Sequence, residues 1–71
     1  MPVAATLRFR PREQQVIDLL ITGDSQKEIA SRLGISPKSV ATYIALAKQR
    51  TGARSTEQLI AMAVEAFRAT S

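Results

Sequence analysis

Two helical patterns joined by a short turn constrain the fold of this chain most. The turn is Gly34–Ser36, and the two patterns fill Asp24–Leu33 and Pro37–Arg50. Apolar residues recur in both at the period of a helix with one buried face. Glycine allows the chain to turn sharply, and Ile35 is then placed to pack between the two helices. The arrangement is that of a helix-turn-helix, although a helical hairpin in an ordinary small bundle would show the same spacing.

Start and stop signals predict two further helices, one on each side of this pair. A helix start is marked by proline in the first turn, or by a serine cap with Glu or Gln three residues later. Such starts occur at Pro11, Ser25–Glu28, Ser36–Pro37 and Ser55–Gln58. Glycine follows the first, second and third predicted helices, at Gly23, Gly34 and Gly52. Because no strand-like alternation is present, the sequence predicts an all-α fold of four helices with short connections.

Length and composition limit the class of protein. The chain has 71 residues, which makes one small domain with a thin margin of stability. It contains no cysteine and no histidine, so disulfides and the common zinc sites are excluded, and we expect no metal or other cofactor. A second subunit is the remaining source of additional buried surface. No apolar run reaches the roughly 20 residues that span a bilayer, so we expect a cytoplasmic protein with no membrane partner.

The chain is basic, with a net charge of +4 and a pI near 10.4. This balance is typical of a nucleic-acid-binding domain, although charge alone does not identify one. We expect no catalytic residue, because no histidine or cysteine is present to act as a base or nucleophile. The glycines fall at helix ends rather than in a phosphate-binding loop, and the carboxylates are too dispersed for a paired site.

Several short motifs together resemble the LuxR/GerE-type helix-turn-helix domain of bacterial transcription regulators. They are Pro11–Glu13, Lys27–Ala30, Leu33–Ser36 and Gly52 followed by Arg54–Ser55. The resemblance covers about Phe9 to Phe67 and implies four helices, with the third in the major groove of DNA and the fourth commonly supporting dimer formation. The chain is also similar to region four of bacterial sigma factors. Residues 52–67 fit the LuxR/GerE pattern better, because they add a capped fourth helix.

We expect the chain to consist of two parts. Residues 1–9 read as an N-terminal arm or linker remnant, and residues 10–69 as the helix-turn-helix DNA-binding domain. Arg8 and Arg10 are placed where an arm would reach a minor groove, although a disordered tail fits them as well. The chain is either a complete regulator or the C-terminal piece of a longer protein. We expect it to be encoded by a bacterium or phage and to associate with the nucleoid when bound to DNA.

The resemblance places the DNA contacts on the third helix and its neighbours. The expected DNA-binding residues are Lys27, Lys38, Ser39, Ala41, Thr42, Tyr43, Ala45, Lys48, Gln49 and Arg54. Ala41 and Ala45 depart from the family, in which those positions are often charged or polar. Tyr43 stands where histidine is usual, and its hydroxyl can still donate to a phosphate. Arg10 stands where a capping threonine is usual, and Thr51 where a core leucine is usual.

The outward face of the third helix offers methyl groups to bases and cations to phosphates. Alanine and threonine methyl groups can contact the methyl group of thymine, and Thr42 or Gln49 can hydrogen-bond base edges or phosphates. Lys38, Lys48 and Arg50 lie near the helix ends, where they could clamp phosphates or form only a solvated face. Because no arginine is placed to bind guanine at the helix centre, we expect modest specificity, carried by A·T-rich contacts or DNA shape.

The fourth helix carries more apolar surface than one core contact needs. If Leu59 and Ala63 face the core, a second apolar set falls partly outside it. That set is Ile60, Val64 and Phe67. We expect it to form a homodimer interface that places two recognition helices about 34 Å apart on double-stranded DNA, the alternative being packing within a monomer. A second functional hypothesis is a protein-interaction module that pairs with and inhibits another regulator, and RNA polymerase is a further candidate partner.

Overall fold

The structure is a computed structural model that describes residues 9–70, with side chains described through residue 68. The elements are α1 Pro11–Ile21, α2 Gln26–Leu33, α3 Pro37–Thr51 and α4 Thr56–Thr70. No strand occurs in this part of the chain. The predicted all-α fold of four helices is therefore confirmed. Apart from Phe9, the predicted arm lies outside the described residues, as does Arg8.

The caps of α2 and α3 form as the sequence predicts. Ser25 Oγ accepts a hydrogen bond from the Glu28 N–H at 3.2 Å, and Glu28 Oε1 accepts one from the Ser25 N–H at 2.8 Å. At the start of α3, Ser36 Oγ accepts from the Ser39 N–H at 3.0 Å. These bonds satisfy backbone donors that a helix start would otherwise leave unpaired.

The start of α4 departs from the predicted capping pattern, whereas α1 starts at a proline without a cap from the Arg10 side chain, as predicted. Ser55 Oγ accepts from the Gln58 N–H at 3.0 Å, but Gln58 Oε1 accepts from the Arg54 N–H at 2.7 Å rather than from Ser55. The predicted capping box of α4 is thus half right. At α1, the guanidinium of Arg10 cannot accept a hydrogen bond, and the cap keeps only the reverse bond, from the Arg10 N–H to Glu13 Oε1 at 3.2 Å.

The turn between α2 and α3 depends on the left-handed backbone of Gly34. Its φ of 68° is a conformation that residues with a Cβ atom resist. The turn lets the Ile35 N–H donate to the Ala30 carbonyl oxygen at 3.0 Å. Ile35 is half-buried and packs against the core, as predicted. The turn therefore fixes how α3 crosses α2.

The core lies between all four helices and is built from the predicted apolar faces. Its buried residues are Val16, Ile17, Leu20, Ile29, Ala30, Val40, Ile44, Ala47, Leu59 and Ala63. Both α1 and α3 contact each of the other three helices. Because α3 is held on several sides at once, its remaining outward surface is presented on a rigid support. No helix in residues 9–70 is both long and apolar enough to cross a membrane.

The cap of α2 predicts a pH dependence of stability. The Ser25 backbone N–H donates to Glu28 and lowers its pKa from the ordinary value of 4.5, with smaller contributions from the Ser25 hydroxyl and the charge of Arg32. A lowered folded-state pKa stabilises the fold above the ordinary value, and that contribution is lost as pH falls through the lowered pKa. In thermal melts followed by circular dichroism, Glu28→Gln should lose less stability than the wild type between neutral pH and pH values below 4.5. Parallel losses in the two proteins would contradict this.

Candidate nucleic-acid interface

The outward face of α3 includes five exposed residues that the sequence predicts there. They are Lys38, Ala41, Thr42, Ala45 and Gln49, and we call this set the α3 face. The opposite side of the helix is buried through Val40, Ile44 and Ala47. The division follows from 3.6 residues per turn, which sends positions three and four apart to the same side.

The other predicted DNA-binding residues lie beside the α3 face or on neighbouring elements. Ser39, Tyr43 and Lys48 are half-buried on the flanks of α3, whereas Lys27 on α2 and Arg54 after α3 are exposed. Lys38 lies in the first turn of α3 and Lys48 in the last. The helix thus carries Lys38 near its start and two cations, Lys48 and Arg50, near its end, with a mostly uncharged surface between them.

Hydroxyl groups at the start and in the middle of α3 have defined partners. Thr42 Oγ1 donates to the Lys38 carbonyl oxygen at 3.1 Å, so its proton is used and its methyl group and lone pairs remain for a ligand. The Ser39 hydroxyl is hydrogen-bonded to that of the N-cap residue Ser36, with 3.0 Å between the two Oγ atoms. A hydroxyl group in the first turn of a helix suits an anion.

Leu46 is an exposed apolar residue that the sequence analysis missed. It is 39% exposed and lies one turn after Thr42 and next to Ala45. The spacing of four from Thr42 was a signal that could have found it. Leu46 thus extends the apolar part of the α3 face towards the flank that bears Tyr43.

Glu13 is buried, although the sequence predicts only a favourable charge near the helix start. It is 1% exposed, and its Oε1 lies 2.9 Å from Arg50 Nε. Arg50, expected among the phosphate-clamping residues, is thus anchored to α1 through one edge of its guanidinium. The pair lines a cleft of about 570 Å³ between the start of α1 and one flank of α3. Arg10, Arg12, Tyr43 and Leu46 also line this cleft.

Thr51 replaces the core leucine of the family without leaving a polar group unpaired. Its Oγ1 donates to the Ala47 carbonyl oxygen at 3.0 Å and accepts from the Ala53 N–H at 3.2 Å. The hydroxyl thereby satisfies backbone groups at the end of α3, which is a role that leucine cannot perform.

The outward side of α4 has the arrangement that the sequence predicts. Leu59, Ala63 and Ala66 are buried. Ile60 and Val64 are half-buried, and Phe67 is 69% exposed. A large aromatic ring at this exposure gives α4 a second apolar surface.

No group of acidic residues within the described part of the chain has the arrangement of a metal site. The titratable side chains that line the cleft are three arginines, one glutamate and one tyrosine. The three arginines outnumber the single glutamate, so the lining is positively charged and suits an anion.

Comparisons with known proteins agree on one family. Residues 9–63 match the family model described as bacterial regulatory proteins, luxR family. The chain is 38% identical over 64 residues to response regulator Rre1 of Synechocystis sp., covering 90% of this chain and 28% of that protein. It is 41% identical over 49 residues to spore germination protein GerE of Bacillus subtilis, covering 69% of this chain and 66% of GerE.

A third relative is transcriptional regulatory protein FixJ of Azorhizobium caulinodans, 42% identical over 53 residues, which cover 75% of this chain and 25% of FixJ. The match thus spans about a quarter of Rre1 and FixJ and about two thirds of GerE. No solved structure matches the chain significantly.

Proposed function

The chain belongs to the luxR family of bacterial regulatory proteins, and we propose that it regulates transcription by placing the α3 face in the major groove of double-stranded DNA. The family consists of DNA-binding regulators and not of enzymes. DNA-binding regulation is accordingly the function of this domain.

The observation that carries the proposed surface is the arrangement of charge and exposure on α3. Lys38 and Lys48 stand near opposite ends of the helix, and the residues between them on the outward side are uncharged. Ser39 offers a hydroxyl group beside the positive end of the helix dipole. These groups would hold phosphates on both sides of the groove, while Lys27 and Arg54 add backbone contacts from neighbouring elements.

We propose that base recognition depends on methyl groups. Ala41, Ala45 and Leu46 offer apolar atoms, and Thr42 adds a methyl group while its proton is used within the helix. The thymine methyl is the apolar group that the major groove displays. Gln49 is the residue of the α3 face whose side-chain amide can form two hydrogen bonds to one adenine. A·T-rich sites and their shape would then supply most of the specificity.

Replacing thymine with uracil in an A·T-rich duplex tests this reading, because it removes only the methyl groups. Each lost contact should weaken binding about threefold to fourfold, from about 0.8 kcal/mol per buried methyl. Fluorescence anisotropy with matched thymine and uracil duplexes measures the ratio, and Leu46→Gln should reduce it. Equal affinity of the wild type for both duplexes would reject methyl readout while leaving phosphate binding in place.

We further propose a homodimer that pairs through Ile60, Val64 and Phe67. The exposure of Phe67 supports a partner at this surface, and a two-fold dimer would place two recognition helices one helical turn of DNA apart. Phe67→Glu should shift the protein to monomer in sedimentation equilibrium and weaken binding to two adjacent half-sites. Ala61→Glu is the matched control, because it adds the same charge at an exposed α4 position outside the proposed set. Unchanged assembly in Phe67→Glu would exclude this interface.

A second candidate role uses the same α4 surface differently. The apolar centre of the α3 face favours an interaction module that pairs with another regulator and inhibits it. In that case Phe67→Glu would abolish partner binding, and substitution of Lys38 or Lys48 would have no effect. RNA polymerase is a further candidate partner. In either role we propose a cytoplasmic protein of a bacterium or phage, associated with the nucleoid when bound to DNA.

A further inference from the structure

The cleft between α1 and α3 is positively charged. Three arginines and one glutamate line it, which leaves an excess of two positive charges. The start of α1 adds the positive end of a helix dipole. The cleft lies beside the α3 face, because Leu46 lines it and also adjoins Ala45.

Glu13 holds Arg50 at the wall of this cleft. Glu13 Oε1 lies 2.9 Å from Arg50 Nε and also accepts from the Arg10 N–H at 3.2 Å, whereas Oε2 accepts no hydrogen bond from the described residues. The ion pair uses the Nε edge of the guanidinium. The terminal nitrogens of Arg50 make no hydrogen bond to the described residues, and its side chain is 40% exposed. An anchored guanidinium with two spare nitrogens is well suited to a phosphate.

Arg10 and Tyr43 bring two more donor groups to the same cleft. The Arg10 side chain is exposed and makes no ion pair with the described residues, and the hydrogen bonds of this residue to Glu13 and Gln14 use its backbone. Tyr43 is half-buried, which fixes its ring and leaves a hydroxyl to donate. Arg12 is less available, because its Nη1 donates to Gln15 Oε1 at 3.0 Å.

We propose that this cleft binds one backbone phosphate of the DNA duplex, held by Arg10, Tyr43 and Arg50, with Glu13 as the residue that positions Arg50. The inference rests on the proposed placement of α3 in the major groove. A duplex in that position would carry one strand's phosphates along the flank of α3 that bears Tyr43 and Arg50. The site would add a DNA contact from the start of α1 to the DNA contacts proposed for α2, α3 and the turn after α3.

The salt dependence of binding tests the site. Each phosphate neutralised contributes about 0.9 to the slope of log K against log salt concentration. Arg10→Gln, measured by anisotropy with the full chain and a short duplex, should lower the slope by about that amount. Its affinity should therefore fall about 3.5-fold less than that of the wild type over a fourfold rise in salt. Arg50→Lys keeps the charge opposite Glu13 but loses the two spare guanidinium nitrogens, so its affinity should fall at unchanged slope. Tyr43→Phe should behave like Arg50→Lys.

Two comparisons make the outcome decisive. Arg68→Gln removes an equal charge from α4 outside the cleft lining and should keep the wild-type slope. If Arg10→Gln matches Arg68→Gln while Lys38→Ala/Lys48→Ala lowers the slope, the cleft holds no phosphate and the α3 proposal stands. If the wild type itself shows no salt-dependent binding, both proposals fail. Circular dichroism melts confirm that each variant is folded before its slope is compared.

Discussion

Replacing both Lys38 and Lys48 with alanine should remove close to two phosphate contacts. The slope of log K against log salt concentration should become shallower by the contribution of those contacts. Because each contact contributes about 0.9 to the slope, the wild type should lose about 12-fold more affinity than the variant over a fourfold rise in salt. The loss should be similar for A·T-rich and G·C-rich duplexes, since phosphate contacts carry no sequence information. Fluorescence anisotropy across a salt series measures both effects.

The matched control for this prediction keeps the charge. Lys38→Arg/Lys48→Arg should retain the wild-type slope, because both side chains remain cations on the same positions of α3. Alanine should not disturb the helix, since it has the highest helix propensity. A slope that stays at the wild-type value in the alanine variant would remove these two lysines from the interface.

Arg50→Ala should destabilise the domain by about 3 kcal/mol, because it leaves the Glu13 carboxylate buried without its cation. We expect the lower end of the range for broken buried pairs, since the Arg50 side chain is 40% exposed while that of Glu13 is 1% exposed. A small domain has a total stability of only roughly 5 kcal/mol. Much of the variant should therefore unfold at low urea concentration, as circular dichroism would show.

The double variant Glu13→Gln/Arg50→Ala distinguishes the effect of the uncompensated Glu13 charge on stability from the effect of the lost Arg50 packing. A glutamine at position 13 can still accept from the Arg10 N–H and carries no charge to compensate. The double variant should therefore recover a substantial part of the lost stability, with a coupling energy above about 1 kcal/mol. If the two single substitutions simply add, the ion pair is not the reason for the instability of Arg50→Ala.

Local rules predicted most of this fold from the sequence. Serine caps at Ser25 and Ser36, the glycine at Gly34 and the apolar periodicity of α3 each act over four residues or fewer. Such signals specify a helix without reference to the rest of the chain. The same periodicity predicted that the α3 face lies outward. When one side of a helix is buried, its polar positions lie on the opposite, exposed side.

The cleft could not be predicted in the same way. Glu13 lies on the same side of α1 as the core residues Val16 and Ile17, but a carboxylate in the first turn of a helix predicts a favourable charge there rather than burial. Its cation comes from the far end of α3, and that pairing exists only after the helices pack. Gln58 shows the same limit at short range, since its side chain selects the Arg54 N–H over that of Ser55. Where two donors lie within reach of one side chain, spacing alone does not choose between them.

We propose that α3 presents its outward face to DNA, and an NMR titration of the ¹⁵N-labelled chain with an A·T-rich duplex tests this proposal most directly. The largest amide shifts should fall within Lys38–Gln49, with smaller shifts at Lys27 and Arg54, and raised salt should reverse them. Shifts confined to α4, or no shifts at all with any duplex, would contradict it and make Phe67 and its neighbours the working surface.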